Sequence, residues 1–394
     1  GRFAGRPSAL DTNQPKGSTF KGALYAFGMG MLPWNKESGR LHPVVFWAGV
    51  LMHLGIGLSL CTVALRLVLG EVAPTWWAPF GMGSLGFGAI ALILLARRFV
   101  APHMGRLSTP DDLLAAGLTG LLCILAGLWS FAWVPVLPFD LVAAAFLLYL
   151  PLGKLRHMGT FFVSRFYHAK QLGLLGAYHP EGDKLFGSMT PGAPIRDGDE
   201  AFSEEKDGPS FPMAFEPAEG KAFVEHLDEV FSREAIAMLD ACVHCAMCTE
   251  SCHYYMATGD RSLIPVEKLD KVAKLYHGQH DPVGKASPGL GGALAPTETA
   301  LMDLHEAAYE HCSMCGRCAL SCPMGINTGF VLGQARMAFG RIGKTPPGLD
   351  KPAKTAIKTG NYLALEVEDV VDNLEWFGEE LEDDPTLEGI EVEI

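Results

Sequence analysis

The chain has 394 residues, 49% of them hydrophobic and only 19% charged. A soluble chain carries nearer a quarter charged residues, so part of this one is expected in a membrane, and its length allows about two or three domains. The formal charge of −13 is a local feature: residues 366–394 hold 13 acids and no Lys or Arg, which leaves 31 acids against 31 bases elsewhere. With no basic stripe to meet phosphates, nucleic acid is excluded as a partner.

Residues 1–42 are rich in Gly and Pro, with one apolar stretch from Phe20 to Trp34. It is too short and too broken by glycine to span a bilayer, and is expected to lie at the interface. Pro43–Leu65 and Val72–Ala96 contain no Asp, Glu, Lys or Arg, and Leu113–Gly153 contains only Asp140. A spanning helix needs about 20 apolar residues. Four are predicted, at about 43–69, 75–96, 112–134 and 139–163, the last two joined by a tight turn at Pro135–Asp140. Together they make a transmembrane domain at 43–170.

Basic residues set the orientation. Lys21, Lys36 and Arg40, then Arg97, Arg98 and Arg106, then Lys154, Arg156, Arg165 and Lys170 fall on one side. The other side has Glu71 and Asp140 in its loops, with Arg66 close enough to a helix end to snorkel. Both termini are therefore expected in the cytoplasm, and Trp76, Trp77 and Trp133 in an outer aromatic belt. Residues 171–218 read as an extended linker, 219–345 as a helical metal-binding domain and 346–394 as an acidic C-terminal tail.

The ten cysteines are not scattered. Cys242-x-x-Cys245-x-x-Cys248-x-x-x-Cys252 and Cys312-x-x-Cys315-x-x-Cys318-x-x-x-Cys322-Pro323 are two complete runs of the kind that holds a [4Fe–4S] cluster. An evenly stapled secreted disulfide scaffold is excluded. In two-cluster ferredoxins the fourth Cys of each run crosses to the other cluster. The expected ligand sets are therefore Cys242, Cys245, Cys248 and Cys322 for one cluster, and Cys312, Cys315, Cys318 and Cys252 for the other. Zinc would want paired CxxC motifs with four ligands in all. His244, His253 and His311 flank the cysteines and read as packing or surface residues. Cys61 and Cys123, in apolar helices, read as small core filling.

His53 lies ten residues into the first predicted span and His157 at the inner end of the fourth. An ionisable residue inside a membrane is a functional hypothesis by default. The two helices run in opposite directions, so both imidazoles fall in the cytoplasmic half, at one depth, where they suit the axial positions of one haem b. His42 and His168 form a second pair eleven residues away, in each case outside the hydrocarbon. His103 reads as surface.

At this point the residues resemble two families joined in one chain. Residues 43–168 are similar to the gamma subunit of respiratory nitrate reductase and its relatives in sulfite-reductase-associated membrane complexes. The similarity rests on Leu51-Met-His-Leu-Gly55 and Leu150-Pro-Leu-Gly-Lys-Leu-Arg-His157. That family commonly ligates two haems, but its other two histidines would fall at Val63 and Phe139 here. The resemblance therefore implies one haem, on His53 and His157. Residues 223–385 resemble heterodisulfide-reductase-like iron–sulfur proteins through Ala241–Tyr255, Thr258-Gly-Asp260 with Pro265, the second cysteine run, Lys358-Thr-Gly-Asn361 and Asp372-Asn-Leu-Glu-Trp376. A Cys-Cys-Gly domain often follows in that family. Without a Cys-Cys pair here, the catalytic module is expected on another subunit.

The fold expected is mainly α: a four-helix transmembrane haem-binding bundle followed by a helical 2×[4Fe–4S] ferredoxin-like domain. The function expected is electron transfer between a quinone pool (menaquinone or ubiquinone), haem b, two clusters and a cytoplasmic Cys-Cys-Gly-domain partner. The setting would be a bacterial or archaeal cytoplasmic membrane. The alternative keeps this wiring but feeds a flavoprotein, hydrogenase or molybdenum enzyme. Residues 363–382 carry Val367, Val370, Val371, Leu374 and Phe377 at three- and four-residue spacing, which predicts an amphipathic helix able to dock on such a partner.

Overall fold

The computed structural model describes residues 17–70, 74–101, 104–175 and 214–382. Residues 1–16, most of the predicted linker, the end of the acidic tail, Glu71 and His103 lie outside them. Among the described residues there are helices and no β-strand. They form two units, one running to Ile342 and the other starting at Gly343. The membrane and cysteine-rich segments thus pack as one body.

The first unit opens with α1 (Thr19–Phe27) and α2 (Glu37–Leu41), followed by the long apolar α3 (Pro43–Leu69) and α4 (Pro74–Val100). A short α5 (Met104–Leu107) leads to α6 (Pro110–Ser130). Three helices, Pro43–Leu69, Trp77–Val100 and Pro110–Ser130, are long and apolar enough to cross a membrane. The fourth predicted span is broken. α7 (Val136–Tyr149) and α8 (His157–Leu175) form a pair bent by 73°. The break falls at Pro151 and Gly153, where proline removes a helix hydrogen bond and its ring clashes with the preceding turn. α8 continues to Leu175, past the predicted boundary at 170.

Apolar helices in lipid gain little from burial, so they associate through close backbone approach and interhelical polar contacts. α4 and α6 do this with small residues. A Cβ on Gly81 would lie 2.6 Å from the Ser130 Cβ, and one on Gly127 would lie 2.4 Å from the Leu85 Cγ. Ser59 of α3 and Ser84 of α4 face each other at 3.4 Å. Cys123 is fully buried, as expected, but Cys61 is exposed. Arg66 stands near the end of α3. It pairs with Asp140 and lies 5.8 Å over the Trp129 ring. Trp77, expected in an aromatic belt, is buried with its ring 5.4 Å from Trp129, whereas Trp133 is exposed.

The rest of the first unit is an aqueous-type helical domain. It comprises α9 (Pro217–Val230), α10 (Arg233–Ala241), α11 (His253–Thr258), α12 (Pro265–His280), α13 (Pro282–Ala286), α14 (Pro288–Gly291), α15 (Glu298–Tyr309), α16 (Arg317–Ser321) and α17 (Thr328–Arg341). Its core is aromatic and aliphatic. The Phe339 ring lies 4.4 Å from Phe223 and 5.1 Å from His305, among Leu227, Phe231, Leu301 and Val331. The second unit holds α18 (Pro347–Thr359) and α19 (Val367–Glu382). The predicted amphipathic helix is there, and Val370, Val371, Leu374, Trp376 and Phe377 on it are all exposed.

Candidate functional site

α10 delivers the chain to the first cysteine run. Its N-terminus is capped by Ser232, whose hydroxyl accepts from the Ala235 N–H, and its last residue is Ala241. The following loop places His244 and Ala246 at φ +50° and +61°. The second run repeats this, with Met314 and Gly316 at +59° and +74°. In both loops the residues immediately before and after the middle Cys adopt the left-handed region. Such alternation turns successive amides toward one concave side, which receives negative charge. The Met314 N–H reaches the Cys312 sulfur at 3.4 Å.

The loops converge on two cavities. One is lined by Cys242, Cys245, Cys248, Cys318 and Cys322. The other is lined by Cys252, Cys312, Cys315 and Cys318. Cys318 and Thr328 line both, so the cavities adjoin. None of the cysteines is in a disulfide. Burial pushes the Cys242 thiol up to about 12, and burial with the neighbouring thiols Cys245 and Cys322 drives Cys248 well above its ordinary value. Thiols in such a place keep their protons unless a cationic centre displaces them, which is how metal binding and deprotonation are coupled. The donor set therefore fits two iron–sulfur clusters.

In the membrane half, the His53 and His157 rings lie 6.2 Å apart, nearly perpendicular. Imidazole–metal bonds of about 2 Å put the ring centroids of two axial ligands about 6 Å apart. His53 Nδ1 is held by the Gly49 carbonyl at 2.7 Å, and His157 Nδ1 by the Lys154 carbonyl at 2.7 Å. Both Nδ1–H groups are thus donated to backbone, which leaves each Nε2 as a lone-pair donor. This backbone grip is how metal-ligating histidines are usually oriented. The pair fits a haem iron.

His42 and His168 do not share this arrangement. His42 pairs with Glu250 at 3.4 Å. His168 is buried beside Gly325, where an added Cβ would meet its own Cβ at 2.9 Å.

A buried polar seam joins the two halves. Asp112, in the first turn of α6, completes a capping box with Thr109. It also accepts from His244 Nδ1 at 2.8 Å and lies 3.6 Å from Lys154 and 3.8 Å from Arg98. Arg98 donates to the Val243 carbonyl, inside the first cysteine run. Arg156 binds Asp240 at 3.0 Å and also Asp281. Lys36 donates to the Leu320 carbonyl and Ser164 to that of Met324, on either side of Cys322. Leu107 packs with Ile264 and Val266 against Ala246 and Cys248. The first cysteine site therefore sits directly on the bundle.

His244, expected to be a packing or surface residue, is 5% exposed and holds Asp112 on one nitrogen and Asp270 on the other. Burial and Lys154 act to lower its pKa, but the two carboxylates outweigh them and hold it raised. Sequence reasoning missed Asp112, Lys154, Arg98 and Asp270. One signal was present: Asp111 and Asp112 open an otherwise apolar helix, and a bare acid pair there asks for partners.

Residues 238–326 match the 4Fe-4S dicluster domain family. The chain is 35% identical over 127 residues to the Hdr-like menaquinol oxidoreductase iron-sulfur subunit 2 of Archaeoglobus fulgidus, covering 32% of this chain and 23% of that one. It is 31% identical over 162 residues to the Hdr-like menaquinol oxidoreductase iron-sulfur subunit of Archaeoglobus profundus, covering 41% and 28%. It is also 30% identical over 142 residues to one of the subunits of the dihydromethanophenazine:CoB–CoM heterodisulfide reductase of Methanosarcina barkeri, covering 35% and 32%. The chain thus spans about a quarter of the length of the first two curated relatives. No solved structure matches it. The likenesses support an iron–sulfur electron-transfer domain of the heterodisulfide-reductase-like kind.

Proposed function

We propose that this chain is the membrane electron-transfer subunit of a quinone-linked oxidoreductase. Its path would run between a quinone, a haem b on His53 and His157, a [4Fe–4S] cluster on Cys242, Cys245, Cys248 and Cys322, and a second on Cys312, Cys315, Cys318 and Cys252. The observation that carries this reading is the continuity from His157 to the first cysteine run. His157 is held by the Lys154 carbonyl, and the Lys154 ammonium lies at the His244–Asp112 pair inside the seam. Bound there, these groups would supply one-electron chemistry, while the protein provides ligation, burial and spacing. The backbone grips at Gly49 and Lys154 fix the two imidazoles, the left-handed loop residues aim amides at sulfur, and the seam ties the two sites together.

The basic residues around the inner loops support a cytoplasmic side for both termini and the cluster domain. The electron partner is a catalytic module of the Cys-Cys-Gly kind, docked on the exposed apolar face of α19 and steered by its acids. The relatives' names, which include menaquinol oxidoreductase and heterodisulfide reductase, agree with a quinone at one end and such a partner at the other.

Metal analysis with a pyridine haemochrome assay tests the reading: eight non-haem irons and one haem b per chain are expected. Two haems would return His42 and His168 to the ligand set, and none would remove the redox role of the membrane half. Deleting residues 363–394 should leave haem and iron in place but release the partner during purification. Retention of the partner at moderate salt would place docking elsewhere.

A further inference from the structure

The second cysteine site has a cation of its own. Lys268 stands in the first turns of α12 and is 2% exposed. Its ammonium lies 3.5 Å from the Cys252 sulfur and 5.7 Å over the Tyr254 ring, and it donates to the His311 carbonyl next to Cys312. Among the described residues no Asp or Glu forms an ion pair with it. Most other cations near the cysteines are differently engaged. Arg98, Lys154 and His244 share Asp112 at the first site. Arg336 donates to the Ala308 and Cys312 carbonyls rather than to sulfur.

Burying an ammonium without a carboxylate is costly, and long cations are seldom fully buried unless paired. A carbonyl and an aromatic face do not offset a full charge. The thiolates at the Cys252 site do, and a cluster held there carries more negative charge once reduced. A fixed positive charge close to one ligand sulfur stabilises the reduced form more than the oxidised one, and net charge and hydrogen bonds to sulfur are among the levers that set cluster potential. Lys268 is not a ligand and offers no lone pair while protonated. It acts through Cys252 and is therefore a positioning residue in the electrostatic sense.

We propose that Lys268 is the buried counter-charge of the second cluster, raising the reduction potential of the site formed by Cys252, Cys312, Cys315 and Cys318 without moving that of the first. The proposal rests on the two-cluster reading above. A raised potential at the more exposed site, where Cys315 is open to solvent, would favour an electron resting where a soluble partner can collect it.

The test is a redox titration of the purified full-length protein in detergent, followed by electron paramagnetic resonance, with iron measured on the same samples. In Lys268→Met the iron content should hold, and one of two cluster midpoints should fall. At the wild-type midpoint the ratio of reduced to oxidised cluster should drop at least tenfold, which is about 59 mV for one electron. The other midpoint should stay. Lys268→Arg should return most of the shift, and Lys271→Met, three residues along the same helix, should change neither midpoint. Two unshifted midpoints in Lys268→Met with full iron would overturn the proposal. Loss of iron in both Lys268→Met and Lys268→Gln would also overturn it, by making the lysine a structural prop. Wild-type protein without cluster signals would instead remove the two-cluster reading itself.

Discussion

The membrane half and the cluster half hold their sites in opposite ways. Each cysteine cavity is lined by three cysteines of one seven-residue loop together with cysteine from the other run. The histidine pair has no local scaffold: His53 and His157 come from α3 and the start of α8, more than a hundred residues apart, and each is fixed by its own turn's carbonyl. The stabilising forces differ as well. The cluster half has a close-packed core around Phe223 and Phe339, with the apolar burial that drives folding in water. The bundle relies on glycine contacts and a few polar pairs. A site built on a loop therefore survives damage to its neighbours, whereas one built between helices depends on the whole bundle.

The largest effect that would break this contrast is at the histidines. His157→Ala or His53→Ala should abolish the low-spin haem spectrum while leaving cluster signals intact, because each removes one of the two proposed ligands and touches no thiol. A normal haem spectrum in both variants would show that the iron is held elsewhere.

Next comes the core of the cluster half. Phe339 is fully buried against Phe223 and His305, and Phe339→Ala should destabilise that half by about 3–5 kcal/mol. Iron should be lost on mild heating while the haem spectrum persists. Loss of both together would mean that the two halves fold as one cooperative unit.

The seam is the third case, and it tests whether the contrast has a boundary. Asp112 is buried with three cationic partners, and Asp112→Asn leaves Lys154 and Arg98 without their carboxylate. Truncating one partner of a buried ion-pair network typically costs about 3–5 kcal/mol. Haem and clusters should both still bind, but proteolysis between the halves should accelerate. Unchanged proteolysis would assign the seam's strength to the apolar contact of Leu107 with Ile264 and Val266.

The same contrast explains what was legible in the amino-acid sequence. The cysteine spacing is a local pattern, so the two runs and an iron–sulfur dicluster domain could be read directly. The apolar runs set the positions of α3, α4 and α6. The break at Pro151 and Gly153 was also written locally, but the length of the apolar stretch concealed it. The seam could not be read, because Asp112, Lys154 and His244 meet only through tertiary packing between elements far apart in the chain. Lys268 lies between. It shares a helix face with Val272 and Leu275 at i+4 and i+7, so its burial followed from periodicity, but what it would meet did not.

The smallest effect concerns the loops themselves. Of the four left-handed positions only Gly316 is a glycine, so His244, Ala246 and Met314 hold a conformation that costs an L-residue roughly 1–2 kcal/mol. At His244 the side chain makes up for this through Asp112 and Asp270. At Ala246 a methyl group packs near Leu107 and offers little in return. Ala246→Gly should relieve that strain, but glycine also frees the unfolded chain by about 0.4–1 kcal/mol, so the net gain should lie between zero and about 1.6 kcal/mol. The expected result is a slightly higher temperature for loss of the first cluster, with its potential and the second cluster unchanged. Destabilisation instead would mean that the Ala246 methyl contributes more to the seam than the strain costs. The first loop would then be held by the bundle as much as by its own thiolates, and the separation between the two ways of building a site would not hold at that point.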